Sequence, residues 1–211
     1  MDRTQHMKTH CQSREYEIIS SYLALIGRID KPTFIDIGAG DGYRLSNVRD
    51  LIERHGATGL MIDGDNHGNA EVVEAWITKD NIVSLCALQP DPDFLSIDID
   101  GNDYYVLNSL LVEKSPALIM AEINTRFETA EEAYVVPYVD DRTWGNDDHY
   151  GMSLGAFVKL MKAYRYTVVH FEGINALAMR DDLVTPNTPI DIRYRKNIGH
   201  APNYTGTWIA V

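Results

Sequence analysis

The feature that most constrains the fold is a regular alternation of short apolar runs with stretches of helical periodicity. Strand-like runs such as 31–38, 58–63 and 115–123 are bounded by turn residues, and apolar residues recur every three or four positions between them. Strands that alternate with helices form βαβ units, and nearly all-apolar strands are typical of a parallel sheet buried on both faces. The sequence therefore predicts an α/β protein with an open, doubly wound, mostly parallel sheet.

The predicted elements can be placed along the whole chain. In order they are helix 14–27, strand 31–38, helix 43–55 ended by Gly56, strand 58–63, helix 67–79, strand 81–88, strand 93–100, helix 102–114, strand 115–123, helix 153–165 with Ser153 as its cap, strand 166–172 and strand 176–180. The last two strands are joined by so few residues that they must be antiparallel. The sheet thus has seven strands and a C-terminal antiparallel hairpin.

The length of 211 residues predicts a single domain over 1–211. We expect a helical extension in 1–30, a cover in 181–211 and an insertion on the substrate side in 124–152. The insertion, called here the substrate-side segment, breaks the strand and helix rhythm, and long irregular loops are often functional. Its aromatic residues suit either the wall of a pocket for an organic substrate or an anchor for the loop itself: Tyr134, Tyr138, Trp144 and Tyr150.

Composition excludes several classes of partner. The formal net charge of −12 disfavours a surface that neutralises phosphates, so we expect neither a nucleic-acid nor an anionic-membrane partner. Cys11 and Cys86 are the only cysteines, which supports neither a disulfide framework nor a thiolate zinc site. The chain also lacks an apolar run of about 18 residues, the length that a membrane span requires. These features predict a cytoplasmic protein.

The stretch "FIDIGAGDG" at 34–42 places a glycine-rich turn directly after a strand. A dinucleotide-binding turn has the spacing G-x-G-x-x-G, whereas this turn reads G-x-G-x-G and has Tyr43 at the third glycine position. Asp41 would repel a pyrophosphate. Asp63 ends the next strand, where an acid accepts hydrogen bonds from a ribose in such folds. An adenosine that carries a positive group satisfies both observations, which points to S-adenosylmethionine.

At this point the chain resembles the class I S-adenosylmethionine-dependent methyltransferases over roughly residues 31–180. The resemblance is carried by "FIDIGAGDG", by "GLMIDGD" and by the hairpin "YTVVHFEGINALAMR". It implies a Rossmann-like fold, with the methionine moiety at 36–42, the ribose at Asp63 and the adenine near 86–87. The cofactor-binding residues that it implies are Asp36, Gly38, Ala39, Gly40, Asp41, Asp63, Cys86, Ala87 and Asp98. A buried Asp36 should have a hydrogen-bonding partner, such as a backbone donor of the turn.

The stretch "FLSIDIDGNDYYVL" is similar to the corresponding part of small-molecule O-methyltransferases, including the FkbM-like group and the metal-dependent catechol type. That resemblance implies methyl transfer to a hydroxyl of a small molecule or sugar. In the catechol type, an acid after the fourth strand and an acid-amide pair after the fifth hold Mg²⁺, and Asp98, Glu122 and Asn124 fall at comparable places. Because Ile123 separates the last two, a magnesium ion is only one interpretation. The other is that Asp98 contacts cofactor or substrate and Asp100 caps the following helix.

Methyl transfer to a hydroxyl needs a base near the reacting carbon. His149 is the candidate by its titration range, together with Asp98, although His149 could equally be an exposed loop residue. Two functions of other classes stay open: an NAD(P)-binding oxidoreductase, and a non-catalytic S-adenosylmethionine-binding partner subunit. The sequence leaves the oligomeric state open, a homodimer included.

Overall fold

The computed structural model describes residues 10–197 and 206–211. Its strands are β1 (Thr33–Ile37), β2 (Thr58–Asp63), β3 (Val72–Glu74), β4 (Phe94–Ile97), β5 (Leu118–Glu122), β6 (Tyr134–Val135), β7 (Tyr166–Glu172), β8 (Asn175–Arg180), β9 (Asp191–Ile192) and β10 (Ile209–Ala210). Its helices are α1 (Glu15–Leu25), α2 (Arg49–His55), α3 (Ile82–Leu85), α4 (Asp103–Leu110) and α5 (Leu154–Ala163), with a 3₁₀ turn at Asp181–Leu183.

Eight strands form one mixed sheet in the order β3-β2-β1-β4-β5-β8-β7-β9. Strands β1 to β5 are parallel, and β8 pairs antiparallel with both β5 and β7. The order reverses between β1 and β4, as in a doubly wound fold. Two buried clusters cover the two faces of the sheet, one including Ile35, Leu95 and Ile119 and the other Phe34, Phe94 and Leu118. The predicted fold class and the C-terminal hairpin are confirmed.

One strand more than predicted belongs to this sheet. The two-residue strand β9, in the region that we expected to be only a cover, pairs parallel with β7 at His170 and Phe171. A second short pair, β6 with β10, joins the substrate-side segment to the end of the chain. Strands of two residues carry too little periodicity to be recognised in a sequence.

The chain between β2 and β4 corrects the prediction. Residues 67–79 were expected to be a helix and 81–88 a strand, but the structure has β3 in the first stretch and α3 in the second. Ile82 and Cys86 lie four residues apart and are both buried, which is helical spacing. Val72 pairs with Met61 at the sheet edge. Short apolar runs are compatible with either structure until the neighbouring strand is known.

Helix α2 ends as predicted but begins later. Gly56 adopts the left-handed conformation at φ 67° directly after it. The expected start at residue 43 is wrong, because the Ser46 hydroxyl accepts hydrogen bonds from the backbone of Val48 and Arg49 and so delays the helix to Arg49. Ser153 caps α5 as predicted, accepting from the Ala156 amide at 3.2 Å.

Residues 10–197 contain no helix that is both long and apolar enough to cross a membrane.

Candidate functional site

A cavity of about 1030 Å³ lies beyond the carboxyl ends of the central strands. Residues that end or directly follow β1, β2, β4 and β5 line it, together with parts of the substrate-side segment. This is where open α/β sheets bind their ligands, next to the reversal of strand order. The volume is at the upper end of the range of about 300–1,000 Å³ that is usual for small-molecule pockets.

The glycine-rich turn forms one wall of the cavity. Gly38 has φ +87°, and a Cβ there would lie 1.7 Å from the backbone oxygen of Asp98, so no other residue fits between β1 and β4. Gly40 has φ +55°, and a Cβ on it would meet no atom within 4 Å. The turn therefore packs tightly against the sheet at Gly38 and leaves open space at Gly40, where a ligand can approach the backbone.

Asp36 lies in the floor of the cavity and is only 4% exposed. Its carboxyl is hydrogen-bonded to the hydroxyl of Ser96, which faces it across the β1–β4 pair. Ser96 in turn accepts from Asn47 Nδ2 at 3.0 Å. The partner of Asp36 is thus a neighbouring strand and not the turn backbone that we expected. Burial raises the pKa of Asp36 to about 7, so a cation bound beside it would stabilise its charged form.

Asp41, the second acid of the turn, does not line the cavity. Its Oδ1 accepts hydrogen bonds from the backbone of Tyr43 at 2.8 Å and of Arg44 at 2.7 Å, and these bonds hold its pKa below the usual range. Its observed contacts shape the turn. The expected direct role of Asp41 toward the cofactor therefore has no support in its position.

Asp63 ends β2 and borders the cavity as predicted for a ribose-binding acid. One carboxylate oxygen accepts from the Gly40 amide at 2.7 Å and the other from the Asp65 amide at 2.9 Å. Asp63 therefore fixes the glycine-rich turn relative to β2. Each oxygen keeps a second lone pair for a ligand.

Three further carboxyl groups converge at the ends of β4 and β5. Ligand oxygens of Asp98, Asp100 and Glu122 all lie within 4.8 Å of one another. Burial, reinforced by the neighbouring carboxylates, raises the pKa of Asp98 to about 8 and that of Asp100 to about 6. The same two causes raise the pKa of Glu122. Such a group favours a bound cation, because each carboxylate otherwise destabilises the charge of the next.

The expected set of metal ligands is only partly brought together. Asp98 and Glu122 are adjacent, but the Asn124 amide donates to the backbone oxygens of Asp148 and Tyr150, and its oxygen accepts from the Arg126 amide. Asn124 therefore holds the substrate-side segment and does not line the cavity. The third oxygen donor next to Asp98 and Glu122 is Asp100. Asp100 does not cap α4, because the N-cap position is Asn102 and no side chain makes a capping hydrogen bond there.

Three other predicted residues lie outside the cavity lining. Cys86 is fully buried in the core after α3, and Ala87 is exposed. The wall at that end consists of Trp76 and Ile77, which follow β3. His149 Nε2 donates to the Thr207 carbonyl at 2.8 Å, and its ring packs edge-to-face on Trp208. His149 therefore contacts the last residues of the chain and does not line the cavity.

The substrate-side segment closes the other side of the cavity. Of its four aromatic residues named from the sequence, Trp144 and Tyr150 line the cavity, whereas Tyr134 stacks on Phe127 and Tyr138 packs on Tyr105. Trp144 and Tyr150 therefore form part of the pocket wall, whereas Tyr134 and Tyr138 anchor the segment.

The lining contains more acidic than basic side chains. It includes two arginines, Arg44 and Arg142, and seven carboxyl groups, namely Asp36, Asp63, Asp65, Asp98, Asp100, Glu122 and Asp148. Sequence reasoning missed Asp100, Ser96, Asn47 and Trp76 as lining residues. Asp100 had a signal in its position, because it ends the predicted strand 93–100. Asn47 and Trp76 lie inside predicted helices, and Ser96 faces Asp36 only once β1 and β4 have paired.

No protein-family model matches the chain, and no curated protein matches it. Solved structures do share its fold. An O-methyltransferase family protein from Burkholderia thailandensis has 13% identity and a TM-score of 0.50, covering 78% of this chain and 55% of that one. A candidate hemolysin from Streptococcus thermophilus has 15% identity and a TM-score of 0.50, covering 89% and 71%. The chain spans little more than half of the first structure. These likenesses establish a Rossmann-like α/β fold that methyltransferases also use.

Proposed function

We propose that the protein transfers a methyl group from S-adenosylmethionine to a hydroxyl of a small molecule or sugar. The observation that carries the proposal is the glycine-rich turn facing a cavity in which carboxyl groups outnumber arginines seven to two. A pyrophosphate would be repelled there, whereas a sulfonium cation is attracted. The antiparallel β8 beside β5 also differs from the all-parallel order 3-2-1-4-5-6 of dinucleotide-binding sheets.

The cofactor is proposed to lie along the carboxyl ends of β2, β1 and β4. Its methionine moiety contacts the turn at Gly38, Ala39 and Gly40 and the carboxyl of Asp36, and its ribose contacts Asp63. The adenine lies against Trp76 and Ile77, which border the cavity where the sequence alone had suggested residues 86–87.

The acceptor is proposed to lie between Asp98, Glu122 and the substrate-side segment. The acceptor oxygen forms a bond to the methyl carbon as the bond from that carbon to sulfur breaks, the sulfonium becomes a neutral thioether, and the hydroxyl proton passes to Asp98. The protein's main contribution is in-line placement of the two reactants. His149 stays a prediction from the sequence alone, and its contacts with Thr207 and Trp208 argue against a role as the base.

A magnesium ion also stays a prediction. The oxygen donors of Asp98, Asp100 and Glu122 fit the preference of Mg²⁺ or Ca²⁺ for hard ligands, whereas the expected amide ligand, Asn124, is engaged elsewhere. A divalent ion held there would lower the pKa of a substrate hydroxyl. Activity that is lost in EDTA and restored by Mg²⁺ would support the ion, and activity that EDTA leaves unchanged would exclude a requirement for it.

Calorimetry with S-adenosylmethionine, S-adenosylhomocysteine and NAD tests the proposal. We expect saturable binding of the first two to the wild type and weaker binding to Asp63→Asn, because Asp63 holds both the turn and the ribose. Glu113→Gln, which removes one exposed negative charge away from the cavity, is the matched control. Binding of NAD alone would contradict the proposal and favour the oxidoreductase. Tight binding of S-adenosylmethionine without transfer to any acceptor in a broad panel would favour a non-catalytic partner subunit.

A further inference from the structure

Part of the substrate-side segment borders the cavity and is held by side chains from both halves of the sheet. This part, residues 137–144, is called the crossing segment. The Trp76 indole Nε1 donates to the Asp140 carbonyl at 2.7 Å. At the preceding residue, Asn102 Nδ2 donates to the Val139 carbonyl at 2.7 Å, and the Val139 amide donates to Asn102 Oδ1 at 3.4 Å.

These two contacts fix where the crossing segment lies. Trp76 follows β3, and Asn102 directly precedes α4 and follows β4. Val139 and Asp140 are consecutive, so side chains that follow β3 and β4 reach the same point of the crossing segment. Strands β2 and β1, which end in Asp63 and the glycine-rich turn, lie between β3 and β4 in the sheet. Arg142, Thr143 and Trp144 of the crossing segment line the cavity.

Trp76 contributes to both sides of this arrangement. Its ring borders the cavity and lies against Gly64, where a Cβ would be 3.2 Å from the indole. Its backbone is held independently, since Asn81 Nδ2 donates to the Trp76 carbonyl at 2.7 Å. A ligand that packs against the ring would therefore restrict the same side chain that holds Asp140.

We propose that Trp76 is a positioning residue that ties the crossing segment to the cofactor end of the cavity, which is formed by the glycine-rich turn, Asp63, Trp76 and Ile77. A ligand bound there would order the wall of the acceptor end, which lies between Asp98, Glu122 and the substrate-side segment. The statement about cofactor occupancy rests on the proposed function. The tie itself does not, because it consists of the hydrogen bond from the Trp76 indole to the Asp140 carbonyl. One consequence is ordered binding, with the cofactor first.

Hydrogen exchange on Trp76→Phe tests the tie, since phenylalanine keeps an aromatic wall and removes only the indole N–H. In the free protein we expect amide exchange of Val139 and Arg142, both hydrogen-bonded in the crossing segment, to become about two- to tenfold faster, the effect of losing one such bond. S-adenosylhomocysteine should slow exchange at these amides in the wild type and slow it less in Trp76→Phe.

Trp144→Phe is the matched control. Its indole also donates to a carbonyl, that of Asp147, but this bond lies within the substrate-side segment and joins no other element. Ligand-dependent protection of Val139 and Arg142 should persist in that variant. Unchanged exchange in free Trp76→Phe, or equal effects of the two substitutions, would overturn the tie. If S-adenosylhomocysteine does not bind the wild type, the proposed function fails, and exchange in the free proteins still decides whether Trp76 holds the crossing segment.

Discussion

The glycine-rich turn and the substrate-side segment line the same cavity but keep their shapes by different means. The turn is held by the sheet itself: Gly38 and Ala39 donate to the Ile62 carbonyl, and Gly40 donates to Asp63. The substrate-side segment contains one two-residue strand and is held by single side chains of distant elements, such as Asn102 and Trp76. The cofactor end should therefore be stiff and intolerant of substitution, and the acceptor end more adaptable.

The strongest test of that difference is Gly38→Ala. A Cβ at this position overlaps the Asp98 backbone, and φ is +87°, so we expect a loss of about 3–5 kcal/mol in the free energy of unfolding, or no folded protein. Gly40→Ala is the matched control, because its Cβ would meet no neighbour and only the left-handed conformation costs about 1–2 kcal/mol. Urea denaturation measures both. Equal losses would mean that close packing at Gly38 is not what makes the turn rigid.

The carboxyl group of Asp98, between the cofactor end and the acceptor end of the cavity, should distinguish a positively charged ligand from a neutral one. At pH 8.5 we expect Asp98→Asn to weaken binding of sinefungin, an analogue with an amine in place of the sulfonium, by about tenfold. Binding of the neutral S-adenosylhomocysteine should change much less. Calorimetry gives both constants, with Glu113→Gln as the control for overall charge. An equal loss for the two ligands would place Asp98 away from the charged centre.

The free energy of unfolding should depend on pH through the buried carboxyl of Asp36, which lies in the floor of the cavity. The folded-state pKa of Asp36 is raised to about 7, whereas an unfolded aspartate titrates near 3.9. The folded state therefore binds more protons between these values, and wild-type stability falls as pH rises from about 4 to about 7. Asp36→Asn should raise the melting temperature by about 5 °C at pH 8 and change it little at pH 4. Asp140→Asn, an exposed acid of the substrate-side segment, should not reproduce this difference; if it did, the effect would not come from burial.

The smallest effect is expected from the contacts of the chain end with the substrate-side segment. Trp208 packs on Phe127 and His149, and β10 pairs with β6. Trp208→Ala should speed amide exchange in Tyr134–Val135 and lower the free energy of unfolding by about 1 kcal/mol. The affinity for S-adenosylhomocysteine should stay within about twofold. A larger loss of affinity would show that the two ends of the cavity are not independent of the chain end.

Much of the cofactor end could be predicted because local and tertiary requirements agree there. The bounds of β2 and β7 match the prediction residue for residue, since each is a β-branched or apolar run ended by a turn. Asp36, Gly38 and Asp63 were expected at strand ends and do line the cavity. In a parallel sheet, the end of every strand reaches the same edge, so sequence order alone brings these residues together.

The remaining residues depended on contacts that sequence order does not encode. Within residues 67–88, the predicted helix contains a strand and the predicted strand contains a helix. Pairing of Val72 with Met61 and burial of Cys86 beside Ile82 decide the conformation there. Asn124 was expected to face the cavity and instead holds the substrate-side segment.

By itself the sequence determined the parallel sheet, the hairpin and the position of the acids at strand ends, because a period of two or of 3.6 residues and a glycine turn act over a few neighbouring positions. Only the tertiary structure decided that Asp36 pairs with Ser96, that Asp100 completes the group of Asp98 and Glu122, and that Trp76 reaches Asp140. Such pairs join residues far apart in the chain, and their geometry exists only after the sheet has formed. In "FIDIGAGDG" the two acids therefore look alike in sequence, yet one forms the cavity floor and the other shapes the turn.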